Sequence, residues 1–125
     1  MKTVLFISSN KVLGQGLSVA IRAKRGFNFR WMARINYLQA AACVDIFHAD
    51  VVILDIVDQE NMDGAIEICQ TFRQDEQNVK ILLLVRPEQA AVRKVAVETK
   101  NNGLVDDFVF YDSSLTYLLA KLEAL

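Results

Sequence analysis

The run Asp50-Val51-Val52-Ile53-Leu54-Asp55 decides the fold of this 125-residue chain. Its central residues are all apolar, which is typical of a parallel strand that is covered on both faces of a sheet. Asp55 ends the apolar run. Open α/β sheets bind their ligands at the C-terminal ends of central strands, so this carboxylate is the first candidate for a functional site.

Composition and charge indicate one globular domain. Hydrophobic residues make up 53% of the chain and the formal net charge is -1. The length is close to the commonest domain size, and we predict a single domain spanning residues 1–125. The balanced charge predicts no broad attraction to nucleic acid or anionic membrane. No apolar run approaches the roughly 20 residues of a membrane span. Met1-Lys2 leads directly into a strand, so we expect no signal peptide and a cytoplasmic location.

Apolar runs and helical periodicities alternate along the chain. Strands are predicted over residues 3–7, 27–32, 50–56, 80–85 and 108–110, and helices over residues 13–24, 37–47, 66–73, 87–96 and 115–122. A polar, acidic loop is predicted over residues 57–63. This alternation predicts a three-layer, doubly wound α/β fold with a five-stranded parallel sheet of the flavodoxin-like type. The second strand alternates like an edge strand, with Phe27, Phe29 and Trp31 on one face, so the expected order is 2-1-3-4-5.

Two cysteines, one histidine and a glycine-containing segment are candidates for a metal, catalytic or nucleotide site, but their sequence contexts do not support these roles. Cys43 and Cys69 lie in apolar helical contexts and are expected to be reduced core thiols. His48 has no partner in a recognisable motif, so we expect a surface or capping role. The Gly14-Gln15-Gly16 segment lies too far from the first strand's end to be a dinucleotide loop, and it lacks the third small residue.

With these elements placed, the chain resembles the receiver domain of two-component response regulators, the CheY-like domain, over essentially its whole length. The resemblance is carried by the residues 8–17 after the first strand, Asp50–Asp55, Met62-Asp63-Gly64, and the Gly103–Phe108 run entering the fifth strand. It implies that Asp55 occupies the position of the phospho-accepting aspartate.

The departures from the family fall on its chemistry. In receivers an acidic pair and the aspartate hold Mg²⁺, while a Thr or Ser on the fourth strand and a Lys on the fifth contact the phosphoryl group. The matching positions in this chain are Ser8, Ser9, Val85 and Tyr111. The resemblance therefore implies a degenerate receiver, or pseudo-receiver.

Two classes of function follow. The first is a binding module without catalytic activity or cofactor, which contacts a partner protein without control by phosphate. The alternative is an atypical working receiver that accepts a phosphoryl group on Asp55 from a histidine kinase. Mg²⁺ would bind only if the loop acids Asp58, Glu60 or Asp63 compensate for the lost pair. An emptied acidic pocket that binds a small ligand is a third interpretation, without a residue signature of its own.

The resemblance also implies an interaction surface, because receivers commonly pair through the fourth helix, fifth strand and fifth helix. We expect a partner protein, an effector domain or a second copy there, and no direct contact with nucleic acid. The candidate contacts comprise apolar and charged side chains: Val97, Tyr117, Leu118, Arg93, Lys94, Asp106 and Asp107.

Overall fold

The computed structural model describes residues 2–24, 26, 28–38, 40–75 and 77–125. Within these residues, five parallel strands form one sheet in the order β2-β1-β3-β4-β5, which confirms the predicted fold. The strands are β1 Lys2–Ile7, β2 Phe29–Arg34, β3 Val51–Ile56, β4 Lys80–Val85 and β5 Asp107–Phe110. The helices are α1 Lys11–Ala23, α2 Ala40–Phe47, α3 Gln59–Gln74, α4 Ala90–Asn101 and α5 Leu115–Ala124.

Strand β3 is central because every one of its residues is buried. Successive side chains of a strand point to opposite faces, so β3 contributes to two cores. Val52, Leu54 and Ile56 pack with helices α2, α3 and α4. Val51 and Ile53 pack with α1 and α5 on the other face. Both faces of the sheet are therefore covered, as the continuous apolar run predicted.

The prediction of an acidic loop over residues 57–63 is wrong, because α3 already begins at Gln59. Asp58 ends the strand-to-helix connection as an N-cap, with its side chain accepting a hydrogen bond of 2.9 Å from the Asn61 backbone N–H. Met62 is consequently a fully buried helical residue. The Met62-Asp63-Gly64 segment lies inside the helix and does not close a loop.

Helices α2 and α4 begin three residues later than predicted. Tyr37 belongs to the loop before α2, and Pro87 and Glu88 lie in a turn before α4. Strand β2 is displaced toward the C-terminus relative to the predicted residues 27–32. Phe27, which the prediction included, lies outside the described residues.

The isolated residues lie where the sequence placed them. Cys43 and Cys69 are free thiols in the core, and burial raises the pKa of Cys69 to about 12. His48 is exposed and has a φ of 52°, in the left-handed region, directly after α2. Among the described residues, no helix is long and apolar enough to cross a membrane.

Candidate functional site

Asp55 lies one residue before the C-terminal end of β3, and its side chain is almost completely enclosed, with 3% of its surface exposed. The Ser8 hydroxyl donates a hydrogen bond of 2.5 Å to Asp55 Oδ2. The other carboxylate oxygen, Oδ1, is buried and has no hydrogen-bond partner among the described residues. A single donor for a buried carboxylate leaves much of its lost hydration uncompensated.

This environment favours the protonated form of the acid. Burial raises the pKa of Asp55 above its ordinary value, while the hydrogen bond from Ser8 and the positive charge of Arg86 act in the opposite direction. The net effect is a raised pKa. Desolvation thus outweighs the two groups that favour the ionised form.

Tyr37 closes the site from the loop after β2. Its hydroxyl donates a hydrogen bond of 2.8 Å to the backbone carbonyl oxygen of Asp55, and burial raises its pKa beyond the usual range. Its ring lies against Gly64, where an added Cβ would stand only 3.2 Å from the Tyr37 Cδ2 atom. This contact was not predicted, since Tyr37 was assigned to the second helix.

A small cavity of about 140 Å³ lies beside Asp55, toward β1 and β2. Its lining comprises Ile7, Ser8, Ser9, Ile35, Asn36, Tyr37, Asp55 and Asn61. Of the described residues that line it, only Asp55 is charged. The structure therefore brings Asp55 together with Ser8 and Ser9, two of the four residues that the resemblance placed around it.

Val85 and Tyr111, the other two residues, lie on β4 and after β5, and both pack in the hydrophobic cores. Val85 pairs in register with Ile56, whereas Asp55 pairs with Leu84, and the Val85 side chain is fully buried in the core beneath α2, α3 and α4. Tyr111 follows β5 and packs against the core of the opposite face. Its backbone N–H donates a hydrogen bond of 2.9 Å to the Val85 carbonyl oxygen.

Arg86 is a functional candidate that the sequence reasoning missed. It follows β4 directly, and its guanidinium lies 5.4 Å from the centre of the Tyr111 ring. Its Nε is buried without a hydrogen-bond partner among the described residues. Its charge is near enough to lower the pKa of Asp55, although less than burial raises it. A basic residue at the end of the strand next to β3 was the signal that could have revealed it.

The loop acids do not assemble around Asp55. Asp58 caps α3, and Asp63 accepts a hydrogen bond of 2.9 Å from Gln59 Nε2 on the helix surface. Glu60 is exposed in the first turn of α3. Within the part of the chain that the structure describes, no group of three or more His, Cys, Asp or Glu side chains is arranged to hold a metal ion.

Comparison with known proteins places this geometry in a fold family. No protein-family model matches the chain, and no curated protein matches it by sequence. Solved structures do match. A LuxR-family DNA-binding response regulator from Staphylococcus aureus is 20% identical, with a TM-score of 0.76 over 99% of this chain and 98% of that one. The chain has the response regulator receiver fold.

Two further structures have the same fold over nearly the whole chain. The chemotaxis protein CheY4 of Vibrio cholerae is 18% identical, with a TM-score of 0.75 over 99% of this chain and 98% of that one. A structure described as adenylate cyclase from Rhodopirellula baltica is 20% identical, with a TM-score of 0.79 over 98% of this chain and 85% of that one. At these identities the likeness establishes the fold alone.

On the α4, β5 and α5 surface of this receiver fold, the predicted contact residues divide into exposed and buried. Val97 is 44% exposed and Tyr117 is 47% exposed. Lys94 is also exposed. Leu118 was predicted as an interface residue, but this is wrong, because it is buried in the core beneath α1 and α5. Arg93 is held within the chain, since its Nη1 donates a hydrogen bond to the Pro87 carbonyl oxygen.

Asp106 and Asp107, the two acidic residues predicted for this surface, form their ion pairs with basic residues other than Arg93 and Lys94. Asp106 accepts hydrogen bonds of 3.2 Å from Arg73 and 2.7 Å from the Ile81 backbone N–H. Asp107 lies 2.7 Å from Lys121 Nζ and 3.0 Å from Lys100 Nζ. Both carboxylates therefore serve the fold, and only part of their surface remains for a partner.

Proposed function

We propose that this chain is a receiver-like signal-transduction module of the cytoplasm that acts through phosphorylation-independent protein–protein interaction. The observation that supports this most is the state of Asp55. Among the described residues, its buried carboxylate receives one hydrogen bond, from the neutral Ser8, and the small cavity beside it is lined by no other charged residue. The proposal assigns no catalytic reaction to the chain.

The residues around Asp55 do not fit Mg²⁺, the ion that the receiver fold implies. Mg²⁺ requires near-octahedral oxygen ligands and is usually bound through carboxylates, because it gives up its waters reluctantly. Ser8 already donates to one oxygen of Asp55, and the second oxygen is enclosed. The lining adds only hydroxyl and amide groups of neutral residues. The proposal therefore includes no cofactor.

The arrangement of β4 and β5 supports independence from phosphate. A modification shifts a two-state equilibrium only through contacts that differ between the two states. Val85 offers no hydroxyl and is packed in the core, and Tyr111 offers no ammonium group and lies beneath the Arg86 guanidinium. Neither side chain therefore has a hydroxyl or ammonium group that would move toward a phosphoryl group on Asp55.

The α4, β5 and α5 surface is the proposed interaction surface. It exposes Val97 and Tyr117 beside the cationic Lys94. A cavity of about 420 Å³ lies on the same side, with Phe108 and Lys121 among its lining residues. An aromatic and an aliphatic side chain with a charged rim are the usual ingredients of a protein contact. The proposed partner is an effector domain, a separate protein or a second copy of the chain.

Self-association tests this surface with the purified chain. We expect sedimentation equilibrium to show a dimer that Val97→Asp weakens at least tenfold, because the new carboxylate would be buried without a partner. Val12→Asp is the matched control, since Val12 is 79% exposed on α1, and it should leave the dimer unchanged. Asp55→Asn should alter the dissociation constant by less than about threefold, or about 0.7 kcal/mol.

A second candidate function is an atypical receiver that is phosphorylated on Asp55 by a histidine kinase. Arg86 is the specific observation in its favour, because a cation whose charge reaches Asp55 could take the place of the missing lysine. The two candidates differ in their response to a phosphodonor. In the first, Asp55 is silent, whereas in the second its modification changes the interaction surface.

A further inference from the structure

A groove of about 560 Å³ lies between α1 and the edge strand β2, on the sheet face opposite to α2, α3 and α4. It is four times the size of the cavity beside Asp55, and it falls in the range of roughly 300–1,000 Å³ that small-molecule sites occupy. Neither proposed function uses it. Ser8 and Ile35 line both spaces.

The middle of the groove is apolar. Val19 on α1 is 67% exposed and Ile35 after β2 is 54% exposed, and both line the groove. Trp31 and Ala33 of β2 form the opposite wall. Gly14 faces β2 at one end, where a Cβ added to it would make ordinary contact with the Ala33 Cβ atom at 3.7 Å. Exposed apolar side chains that converge on one concave surface are typical of a binding site.

The Trp31 ring is held in place and carries an unsatisfied donor. It stacks on Phe6 with ring centres 5.4 Å apart and planes 24° apart. Its Nε1 is buried and has no hydrogen-bond partner among the described residues. A fixed aromatic ring in the wall of the groove is a surface on which the aromatic body of a ligand can pack.

The charged residues of the groove lining within the described part of the chain are all basic: Lys11, Arg22 and Arg34. Arg34 is engaged elsewhere, because its guanidinium lies 5.5 Å from the centre of the Phe47 ring and donates to the Ala33 carbonyl oxygen. Lys11 is exposed in the first turn of α1, where the helix dipole adds positive potential. Arg22 stands at the other end, about 16 Å along the helix axis.

We propose that this groove binds a small amphipathic monoanion, an aromatic carboxylate or sulfonate. Its acidic group lies at Lys11, and its aromatic body lies against Trp31 and Val19. The charge of the lining selects an anion, and the apolar centre selects a ligand with a hydrophobic body. This site is independent of Asp55 chemistry and of the α4, β5 and α5 surface.

The single tryptophan of the chain is Trp31, so its fluorescence reports directly on the groove. The probe is anilinonaphthalene sulfonate, an aromatic monoanion, and the matched neutral probe is N-phenylnaphthylamine, which lacks the sulfonate. We expect saturable, one-to-one quenching of Trp31 by the anion and binding about fivefold weaker by the neutral analogue at low salt. Absence of saturable quenching, or equal affinity of the two probes, would overturn the proposal.

Variants locate the site. Lys11→Gln should weaken binding of the sulfonate about fivefold and leave the neutral probe unaffected. Lys94→Gln, which removes an exposed lysine on α4 instead, should change neither probe. Val19→Asp should abolish binding of the sulfonate while the thermal transition stays within a few degrees of the wild type. If Lys11→Gln binds like the wild type, or if Lys94→Gln weakens binding equally, the probe sits elsewhere and the proposal is wrong.

Discussion

Asp55 and Asp107 are two carboxylates of the same sheet in opposite electrostatic situations. Asp107, at the start of β5, lies within 3.0 Å of two lysine ammonium groups. Burial alone would raise its pKa, but the hydrogen bonds from Lys121, the Phe108 backbone N–H and Lys100 lower it below the ordinary value. Asp55 has one hydroxyl donor and a distant guanidinium, and its pKa is raised by burial.

The difference shows which acid the fold uses. Asp107 is supplied with partners from α4 and α5, so its charge ties these helices to the sheet. Asp55 occupies the position that catalysis would need, yet its immediate partners are neutral. A working acid of this kind would need cations around it. This contrast between the two carboxylates is what the proposed phosphate-independent function rests on.

The largest effect is expected at Asp107. Asp107→Ala removes two ion pairs and the acceptor for the Phe108 N–H, and should lower the free energy of unfolding by about 2 kcal/mol. Because the pKa of Asp107 is lowered on folding, its stabilisation is present above the ordinary carboxyl pKa of 3.8 and is lost as the pH falls below it. Urea denaturation at neutral and acidic pH measures both. An equal loss at every pH would show that charge is not the cause.

Ser8→Ala should have the next largest effect. It removes the one hydrogen bond that the described residues donate to the buried Asp55 carboxylate, at an expected cost of about 1.5 kcal/mol at neutral pH. In the Asp55→Asn background the same substitution should cost less than half as much, since no charge is left unpaired. A double-mutant cycle by urea denaturation tests this, and strictly additive effects of the two substitutions would contradict it.

Asp55→Asn should stabilise the fold by about 1 kcal/mol at neutral pH, because it removes a poorly compensated buried charge. The raised pKa means that the folded state binds the proton more tightly than the unfolded state does. Wild-type stability should therefore fall as the pH rises from 3.8 through the raised pKa, whereas the variant should lack this decline. Thermal melts across this range measure the difference. A less stable variant at neutral pH would disprove the description of Asp55 as poorly compensated.

The smallest effect is expected at Arg86. Arg86→Gln should raise the pKa of Asp55 further by removing the nearby positive charge, with a change in stability below about 1 kcal/mol. NMR titration of the Asp55 carboxyl carbon measures the pKa directly. Lys94→Gln removes an equal charge on the exposed side of α4 and should leave it unchanged. If both variants shift the pKa equally, the effect is one of net charge and not of Arg86.

The strand order of the sheet and part of the site around Asp55 could be predicted from the sequence. Continuous apolar runs identify buried parallel strands because both faces are covered, and so the strand order and the place of Asp55 next to Ser8 could be predicted. The start of α3 was missed because the polar residues after Asp58 are as typical of a loop as of a capped helix. The buried position of Leu118 was missed because the interface prediction followed the family rather than the apolar face of α5.

The contacts of Tyr37 and Arg86 could not be predicted from sequence periodicity, although the basic residue after β4 was a signal for Arg86 itself. Each acts through a contact between elements far apart in the chain, one with the Asp55 carbonyl oxygen and one with the Tyr111 ring. Such contacts depend on the tertiary placement of loop residues, which have no periodicity. The family motif drew attention to the substituted positions and away from these two neighbours.

The most direct test of the central claim is to treat the protein with acetyl phosphate and Mg²⁺ and to follow it by intact-mass spectrometry and two-dimensional amide NMR. Asp55→Asn serves as the control. If Asp55 is silent, the treatment will change neither the mass nor the amide shifts of α4, β5 and α5 in either protein. A gain of one phosphoryl group in the wild type alone, with shifts across that surface, would contradict the proposal and establish a working receiver.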